Sequence, residues 1–338
     1  MSFTAAESIS IVWSKKDKLT HEKRTFASLG PNELLIRVEA CGLCGTDIHI
    51  CHGEFPDAIL GSIIGHEFVG RIVAIGENIP SGQWQVDDRI VVDPNMPCHS
   101  CHWCRTIPAP HMCSHPKAIG ISRDGGMSQY AVIPASQAYK IPHDLPAEAA
   151  ALTEPLACVL HAVDIATVKP GSSALVIGAG PIGILAATVL VASGCSRVHV
   201  AESNQSRRER IKLFSPAEPI ESSQIERGAY DLVLECVGLP QTLETAVEAA
   251  APKGTVVWIG VAAPDARVSI NPFDVYRKEL TIRGSYTNPF TMVRAVNMLA
   301  AGQIKWEHIV THVFSLEQFD EAWETHVKKT GLKVCVKP

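Results

Sequence analysis

The residues best suited to chemistry in this chain are a thiol, an imidazole and a carboxylate that lie near one another in the sequence. Cys44 precedes the adjacent pair His66 and Glu67. Sulfur, nitrogen and oxygen ligands of this kind suit a zinc ion that keeps one coordination position open. Downstream, Val176–Gly183 carries the glycine spacing G-x-G-x-x-G directly after an apolar run. A metal site and a dinucleotide site in one chain predict metal-assisted hydride transfer.

A zinc ion with these ligands can bind an alcohol, lower the pKa of its hydroxyl toward neutrality and stabilise the alkoxide that expels hydride. Glu154, further along the chain, is a fourth catalytic candidate. Thr46 and His49 follow Cys44 closely, and a hydroxyl beside an imidazole would pass the alcohol proton to bulk water. Taken alone, a histidine is more often structural, and a cysteine more often a small core residue.

A second cluster has the form C-x2-C-x2-C-x8-C and consists of Cys98, Cys101, Cys104 and Cys113. Four thiolates at this spacing predict a closed tetrahedral zinc site, which is structural because no position remains for substrate. Unliganded reduced cysteines in a loop are the alternative. Four interleaved histidines could also replace one thiolate, although such residues are more often solvated: His99, His102, His111 and His115.

The predicted cofactor fingerprint comprises Gly178, Gly180, Pro181, Ile182 and Gly183. Its glycines permit the tight turn, the approach of the backbone to a pyrophosphate and the packing of the helix on the sheet. Glu202 ends the next strand-like run, where a carboxylate accepts hydrogen bonds from ribose hydroxyls and repels a 2′-phosphate. This placement favours NAD over NADP. Two arginines that could pair with a 2′-phosphate are the opposing evidence: Arg207 and Arg208.

The composition is that of an ordinary globular protein. The chain has 338 residues, 46 % of them hydrophobic and 19 % charged, with a formal charge of −5. We therefore expect no nucleic-acid partner. Residues 1–18 have the wrong order of charge for a secretory signal, and no apolar run was expected to reach the length of a membrane span. The eleven cysteines fit metal ligation in a reducing compartment, which predicts a cytoplasmic protein.

The pattern of elements predicts two domains of different architecture. From Ile9 to about Tyr139, short β-rich segments separated by glycine and proline predict a small barrel. An alanine-rich helical stretch follows Pro146, and strand-like and helical runs then alternate, which predicts βαβ units with a parallel sheet. Between Arg210 and Tyr230 the crossover is short and interrupted by prolines, so we expect only a strand near residues 219–221 and an abbreviated loop.

These motifs resemble the zinc-dependent medium-chain dehydrogenase/reductase family, in particular its polyol (sorbitol-like) and threonine dehydrogenase branch. The resemblance spans nearly the whole chain and includes Cys44–Asp47, Gly65–Phe68, the four-cysteine cluster, Thr153–Ala157, Gly178–Gly183 and Glu202. It implies a GroES-like β-barrel catalytic domain, residues 1–153 and 290–338, that holds both zinc sites. It also implies a Rossmann-fold, doubly wound NAD-binding domain at residues 154–289, with the catalytic zinc at the base of a cofactor cleft.

The resemblance also implies roles for individual residues. Cys44, His66 and Glu67 would ligate the catalytic zinc, and Glu154 would bind directly or through exchange with water. Arg207 would lie against the adenine. Two loops would line the nicotinamide half of the cofactor, formed by Cys236, Val237 and Gly238 and by Ile259, Gly260 and Val261. A homo-oligomer, a tetramer or a dimer, is expected on the same grounds.

The sequence departs from this family in three places. Eight residues precede Cys113 where relatives commonly have seven, and the crossover at residues 214–228 is short. Residues 284–290 lack the Arg-Tyr pair that sorbitol dehydrogenases present to substrate, so sorbitol itself is in question. We expect NAD-dependent oxidation of a secondary alcohol of a polyol to the ketose. Threonine or a small apolar alcohol is the alternative substrate, and a non-catalytic nucleotide-binding relic is the alternative from another class.

Overall fold

The computed structural model describes residues 6–26 and 28–338, so residues 1–5, which begin the segment predicted not to be a signal, lie outside it. The chain divides into two compact units. Unit 1 comprises Met1–Glu154 and Met292–Pro338, and unit 2 comprises Pro155–Thr291. The chain passes from one unit to the other within helix α4, Thr153–Ala166.

Unit 1 is built mainly from antiparallel strands. Its strands are β1 Ala6–Lys15, β2 Lys18–Phe26, β3 Glu33–Gly42, β4 Glu67–Ile75, β5 Arg89–Val92, β6 Asn95–Met96, β7 Lys117–Ala118, β8 Tyr130–Pro134, β9 Ala138–Lys140, β16 Val310–Ser315 and β17 Lys333–Lys337. Its helices are α1 Gly45–Cys51, α2 His102–Arg105, α3 Ala147–Ala150, α9 Met292–Ala300, α10 Trp306–Ile309 and α11 Phe319–Val327.

The main sheet of unit 1 has the order β16-β17-β3-β4-β5-β9, and β8 pairs with the first half of β3. Alternate side chains of β3 and β4 enter one apolar core, which includes Ile36, Phe68 and Ile72. The C-terminal strand β17 pairs with the end of β3 at Gly42, so the last residues of the chain lie beside the segment that leads to Cys44. The hairpin of β1 and β2 was not among the strands predicted from the sequence, because β2 is largely polar.

Unit 2 is a single parallel sheet with helices between its strands. The strands are β10 Ser173–Ile177, β11 Arg197–Ala201, β12 Glu218–Ile220, β13 Tyr230–Glu235, β14 Ala250–Trp258 and β15 Thr281–Gly284. The helices are α5 Pro181–Ala192, α6 Gln205–Phe214, α7 Pro240–Ala249 and α8 Pro272–Lys278. The predicted strand in the short crossover is β12, and one turn of 3₁₀ helix replaces a longer helix after it.

The strand order of unit 2, β12-β11-β10-β13-β14-β15, is that of a doubly wound fold. From β10 the strands β11 and β12 are added on one side. The chain then returns to the other side of β10, where β13, β14 and β15 follow. Ligands of such sheets bind where the order reverses, at the carboxyl ends of the strands. That position lies between the loop after β10, which begins at Gly178, and the loop after β13, which begins at Cys236.

One stretch of the chain is longer and more apolar than we expected from the sequence. Ala147–Ala166 is 20 residues long with a mean hydropathy of 1.4, which meets the length and composition of a membrane span. The prediction that no apolar run approaches this length was therefore wrong. Its alanines and leucines raise the mean hydropathy above the effect of a few acids, and 72 % of its apolar part is buried inside the protein, as expected for the core segments α3 and α4.

Candidate active site

The three predicted ligands of the catalytic metal converge in unit 1. Cys44 is the residue before α1, while His66 and Glu67 lie at the start of β4. One ligand atom from each residue lies within 4.8 Å of the other two. His66 and Glu67 are buried and Cys44 is half-buried. A thiolate, an imidazole and a carboxylate at this separation suit a zinc ion that retains an open position.

Two glycines make this convergence possible. Gly65 has φ of +93°, and a Cβ atom there would lie 2.7 Å from the Cys41 sulfur, so only glycine can turn the chain into His66. Gly42 pairs with Glu67 across β3 and β4. A Cβ atom on Gly42 would collide with the Glu67 carboxylate, so its absence leaves the space that the carboxylate occupies.

Asp47 is a buried acid in the Cys44–Asp47 motif, and the sequence analysis assigned no role to it. Its Oδ2 accepts a hydrogen bond from the Cys44 amide at 2.9 Å and thereby caps α1. Its Oδ1 faces the His66 Nδ1 at 3.6 Å, and neither atom has a hydrogen-bond partner among the described residues. A carboxylate in this position orients a metal-binding imidazole so that its other nitrogen faces the metal.

The charges around His66 favour a cation in the cluster. Burial acts to lower the pKa of His66, but the charges of Asp47 and Cys44 outweigh it and raise the pKa well above its usual value. Burial also acts to raise the pKa of Asp47, and His66 together with the Cys44 amide lowers it. The site therefore holds a proton strongly on His66. A divalent cation can replace that proton, so the donor set and its electrostatics fit a metal ion.

The C-terminal segment supplies two groups that the sequence analysis missed. The Lys333 ammonium, 4 % exposed, donates to Glu67 Oε2 at 2.5 Å and to the Leu43 carbonyl at 3.1 Å. The His326 Nε2 lies 2.9 Å from the Cys44 carbonyl. Desolvation lowers the pKa of Lys333, but the charges of Glu67 and Cys44 raise it, so the ammonium stays charged. Nothing in the sequence around Lys333 except a strand pattern pointed to this role.

The other predicted catalytic residues have different surroundings. The Thr46 hydroxyl lies 3.7 Å from the Cys44 sulfur, next to the metal cluster. His49 is exposed on α1, and its Nδ1 lies 2.8 Å from Glu54 Oε2. The adjacent His49 imidazole lowers the pKa of Glu54. Glu154 lies in the first turn of α4 and, over the described ranges, is outside the group of three close ligand atoms.

The four cysteines of the second cluster also converge, despite the additional residue before Cys113. Their sulfur atoms lie within 4.8 Å of one another, and all four are free thiols. Backbone amides point at the sulfurs: the Cys98 amide donates to Cys113 at 3.2 Å, and the Cys101 amide to Cys98 at 3.3 Å. None of the interleaved histidines belongs to this group of close ligand atoms in the described part of the chain.

The surroundings of this cluster favour negative charge on one sulfur and disfavour it on another. Hydrogen bonds from the Ser100 hydroxyl and from backbone amides lower the pKa of Cys98 to about 5. Burial, together with the neighbouring Cys101 and Cys113 thiols, raises the pKa of Cys104 to about 12. The negative charge that the amides favour on one sulfur is thus disfavoured on the next. A tetrahedral divalent cation removes this conflict, so these residues fit a structural metal site.

The cofactor fingerprint has the geometry that its spacing predicted. Gly178 follows β10 with φ of +99°, and Gly180 is the N-cap of α5, whose first residue is Pro181. A Cβ atom on Gly183 would lie 1.9 Å from the Gly178 carbonyl oxygen, so the helix could not pack this closely with any other residue. A Cβ atom on Gly180 would meet no protein atom within 4 Å apart from its neighbours in the chain. That open space faces the amide groups at the helix N-terminus, where phosphate groups bind.

Glu202 is buried at the end of β11 and is already hydrogen-bonded. Its Oε2 accepts from the Ala179 amide at 3.0 Å, and its Oε1 accepts from the Asn204 amide at 2.9 Å. Arg208 donates from Nη1 to the carbonyls of Glu202 and Ser203 at 2.7 Å each. The Arg208 side chain therefore stabilises the backbone of the loop between β11 and α6. The Arg207 amide donates to the Asn204 side chain, which caps α6.

The two loops predicted to line the nicotinamide lie side by side at the carboxyl ends of β13 and β14. A Cβ atom on Gly260 would lie 2.2 Å from the Gly238 nitrogen, so the backbones touch. Desolvation, with the charge of the adjacent Glu235 carboxylate, raises the pKa of the Cys236 thiol, which therefore stays neutral. Glu235 itself was missed, although an acid directly after an apolar strand is the same signal that identified Glu202.

A unit with a candidate metal cluster and a parallel-sheet unit with a nucleotide-binding turn define an oxidoreductase of the alcohol dehydrogenase type, and comparisons with known proteins agree. Residues 30–143 match the model of the alcohol dehydrogenase GroES-like domain, and residues 147–337 match that of the glucose dehydrogenase C-terminus. D-altritol 5-dehydrogenase of Agrobacterium fabrum is 34 % identical over 86 % of this chain and 88 % of that protein. D-arabinitol dehydrogenase 1 of Uromyces fabae is 32 % identical over 91 % and 90 %.

A crystal structure of a zinc-binding dehydrogenase from Sinorhizobium meliloti 1021 bound to NADP is similar throughout. It has a TM-score of 0.94 and 32 % identity, and the match covers 98 % of this chain and 100 % of that one. The chain thus belongs to the zinc-binding medium-chain dehydrogenase/reductase family and is an oxidoreductase of its alcohol dehydrogenase type. The predicted combination of a GroES-like domain with a Rossmann-type parallel sheet is confirmed.

Proposed function

We propose that this protein oxidises a secondary alcohol of a polyol to the ketose, with NAD as the hydride acceptor and zinc as the catalytic metal. The observation that carries the proposal is the convergence of Cys44, His66 and Glu67 within 4.8 Å. A carboxylate ligand makes the metal site more polar than a second thiolate would, which suits a polyhydroxylated substrate. The two relatives described above are themselves named as dehydrogenases of sugar alcohols.

The chain's own residues hold the metal and move a proton. Zinc, when bound, supplies a Lewis acid for the alcohol oxygen, and NAD supplies the hydride acceptor. Cys44, His66 and Glu67 would hold the metal, and Glu154 would serve as a further ligand in exchange with water. The Thr46 hydroxyl beside Cys44 takes the alcohol proton and passes its own to His49. The Glu54 carboxylate holds the His49 ring in place from the Nδ1 side.

A separate structural zinc is proposed for the four cysteines, which would bring the content to two zinc ions per chain, one for each ligand group. We propose NAD rather than NADP because the Glu202 carboxylate lies at the carboxyl end of β11, where it would accept from ribose hydroxyls, and Arg208 is engaged with backbone carbonyls. The Sinorhizobium meliloti structure holds NADP, so cofactor choice is the part of the proposal that most needs a direct test. Cytoplasmic location and a homo-oligomeric state remain predictions from the sequence.

Threonine is the alternative substrate for the same chemistry. Its α-ammonium group would need a carboxylate in the pocket, and Glu67 is already paired with Lys333. The structure thus offers one argument against threonine, which a substrate panel can check.

The test is NADH formation, followed by absorbance, over hexitols, pentitols, tetritols, threonine and simple alcohols, each with NAD and with NADP. We expect one stereochemical series of polyols to be turned over with NAD. Removal of zinc by 1,10-phenanthroline should abolish that activity, and metal analysis should give one zinc for each cluster. Activity with threonine or a simple alcohol alone would contradict the substrate class, and activity that persists without metal would contradict the mechanism.

A further inference from the structure

Glu235 is a fully buried carboxylate that the proposed mechanism does not use. It ends β13 and is 0 % exposed. Its Oε1 accepts hydrogen bonds from the Val237 amide at 2.9 Å, the Gly238 amide at 3.0 Å and the Thr242 hydroxyl at 2.7 Å. Its Oε2 accepts from the Gly238 amide at 3.1 Å. A buried charge persists only where donors replace its lost hydration, and these donors do so.

These bonds fix the path of the loop between β13 and α7. Gly238 adopts φ of +83°, a left-handed conformation that favours glycine, and the carboxylate accepts from the amides of the two peptides that flank Val237. Thr242 lies in the first turn of α7, whose N-terminal dipole favours an anion at that end. The loop is thus tied both to the strand before it and to the helix after it.

The same residue also joins this loop to the next one. The backbone carbonyl of Glu235 accepts hydrogen bonds from the amides of Ile259 at 2.8 Å and Gly260 at 3.0 Å. On the other side, a Cβ atom on Gly178 would lie 2.6 Å from a methyl carbon of Val237. Val237 therefore lies directly against the first glycine of the cofactor fingerprint, at the point where the strand order of the sheet reverses.

The loops held in this way present an exposed apolar surface. Val237 is 40 % exposed, Leu239 58 % and Val261 76 %, in a unit whose other branched side chains on β13 and β14 are buried. Apolar side chains at the carboxyl ends of parallel strands, at the switch point, are suited to contact a planar ring. The part of a dinucleotide with such a ring beyond the pyrophosphate is the nicotinamide.

From these contacts we propose that Glu235 is a positioning residue for the nicotinamide half of the cofactor. It acts through the Val237 and Gly238 amides, which set the place of the Val237 side chain against the ring. The proposal rests on the proposed function, because it requires that the chain bind a nicotinamide dinucleotide. It predicts that Glu235 contributes to binding of the nicotinamide end and not of the ADP-ribose part, which the Gly180 turn and Glu202 would hold.

The test compares two ligands that differ only by the nicotinamide base, because ADP-ribose retains both riboses and the pyrophosphate. NADH binding is measured by fluorescence and ADP-ribose binding by calorimetry, on the full-length protein and its Glu235→Gln variant. The glutamine side chain of this variant is uncharged, and its NH2 group can lie against the Gly238 N–H, which is also a donor. The hydrogen bonds to the loop should therefore weaken. We expect the Kd of NADH to rise about tenfold and that of ADP-ribose to change less than about twofold. The emission of bound NADH at saturation should also differ from the wild type.

Two further variants keep the result interpretable. Glu248→Gln removes a charge from the exposed end of α7, where Glu248 pairs with Arg227, and should leave both affinities unchanged. If Glu235→Gln does not fold, Thr242→Val removes one of the hydrogen bonds and should raise the Kd of NADH about threefold with no change for ADP-ribose. In steady state, the effect should appear in the KM for NAD and in kcat, because the ring is misplaced.

Equal losses for both ligands, or no loss for either, would overturn the role of Glu235 while leaving the proposed function intact. If the wild type binds NADPH instead of NADH, the same comparison is made with NADPH and 2′-phospho-ADP-ribose, and only the cofactor assignment fails. A wild type that binds neither dinucleotide would overturn both proposals.

Discussion

The two units hold their chemistry in place by different means. In unit 1, the candidate metal cluster is surrounded by buried charged side chains, and the residues that pair are far apart in the chain: Lys333 and Glu67 are separated by 266 positions. In unit 2, the buried carboxylates Glu202 and Glu235 are held largely by backbone amides, and Glu235 binds the amides two and three positions away. The metal cluster of unit 1 therefore depends on contacts between distant parts of the chain, while Glu235 in unit 2 is held by its near neighbours in the sequence.

This difference has an energetic consequence. A buried ion pair gains little overall, but loss of one partner leaves the other charge buried without compensation. A carboxylate bound by nearby amides is satisfied as soon as the local turn forms. We therefore expect side-chain substitutions in unit 1 to affect both stability and chemistry, and substitutions in unit 2 to separate cofactor binding from stability more cleanly.

The largest expected effect is that of Cys44→Ser. Loss of the thiolate ligand should lower turnover by more than about a thousandfold, because the alcohol is no longer activated. NADH affinity should stay within about twofold, because unit 2 retains all its residues. Rates with the best polyol and fluorescence titration with NADH measure the two quantities. Cys195→Ser, a free thiol of unit 2 outside both clusters, is the matched control. Turnover that survives Cys44→Ser would show that the metal mechanism is wrong.

Lys333→Met tests the dependence of unit 1 on buried charge. The free energy of unfolding should fall by about 3–5 kcal/mol, because Glu67 loses its buried counter-ion. In unit 2, Lys253→Met breaks an exposed ion pair with Glu279 and should cost far less stability than Lys333→Met. Urea unfolding followed by fluorescence measures both. The double variant Lys333→Met, Glu67→Met should recover much of the lost stability, and equal costs for the two lysines would contradict the contrast between the units.

Two glycines of the fingerprint should behave differently on replacement by alanine. Gly183→Ala places a methyl group 1.9 Å from the Gly178 oxygen and should lower the melting temperature. Gly180→Ala meets no protein atom within 4 Å, so it should leave the melting temperature unchanged and weaken NADH binding about tenfold through contact with the pyrophosphate. Thermal unfolding and NADH titration measure the pair. If Gly180→Ala binds NADH normally, the pyrophosphate does not lie at this turn.

The smallest effect concerns pH and Asp88, which is 8 % exposed and accepts from the Gln85 amide and Lys140, each at 2.9 Å. Burial acts to raise the pKa of Asp88, but these two donors lower it overall. A lowered folded-state pKa stabilises the protein above the unfolded value of about 3.9, and this contribution disappears as the pH falls through the folded value. Asp88→Asn should cost about 1–2 kcal/mol at pH 7 and little at pH 3.

The control for this pH dependence is Asp231→Asn in unit 2. Hydrogen bonds from the Ser173 amide and hydroxyl lower the pKa of Asp231, so the sign of the effect is the same. Asp231 is exposed, however, and its loss should cost less. Urea unfolding from pH 3 to pH 7 compares the two variants. A cost for Asp88→Asn that is independent of pH would show that its charge is not the cause.

The sequence alone determined the class of fold and most of the local sites. The alternation of strands and helices predicted the parallel sheet, and the spacing of Gly178, Gly180 and Gly183 predicted the nucleotide turn, since both signals are contained in short stretches of chain. The same holds for the four cysteines, whose ligand spacing is itself local. The helix α1 and the hairpin of β1 and β2 escaped prediction, because polar residues such as those of β2 carry little periodicity.

Only the tertiary structure decided which charges lie together inside unit 1. Pairing of β17 with β3 brings Lys333 to Glu67 and His326 to Cys44. No local sequence pattern around these residues predicts a partner so distant in the chain. The physical reason is that a buried charge is defined by what surrounds it after folding, while a turn or a ligand spacing is defined by its neighbours in sequence. Glu235 combines both situations. Its position at the end of an apolar strand is visible in the sequence, but its complete burial follows only from the folded structure.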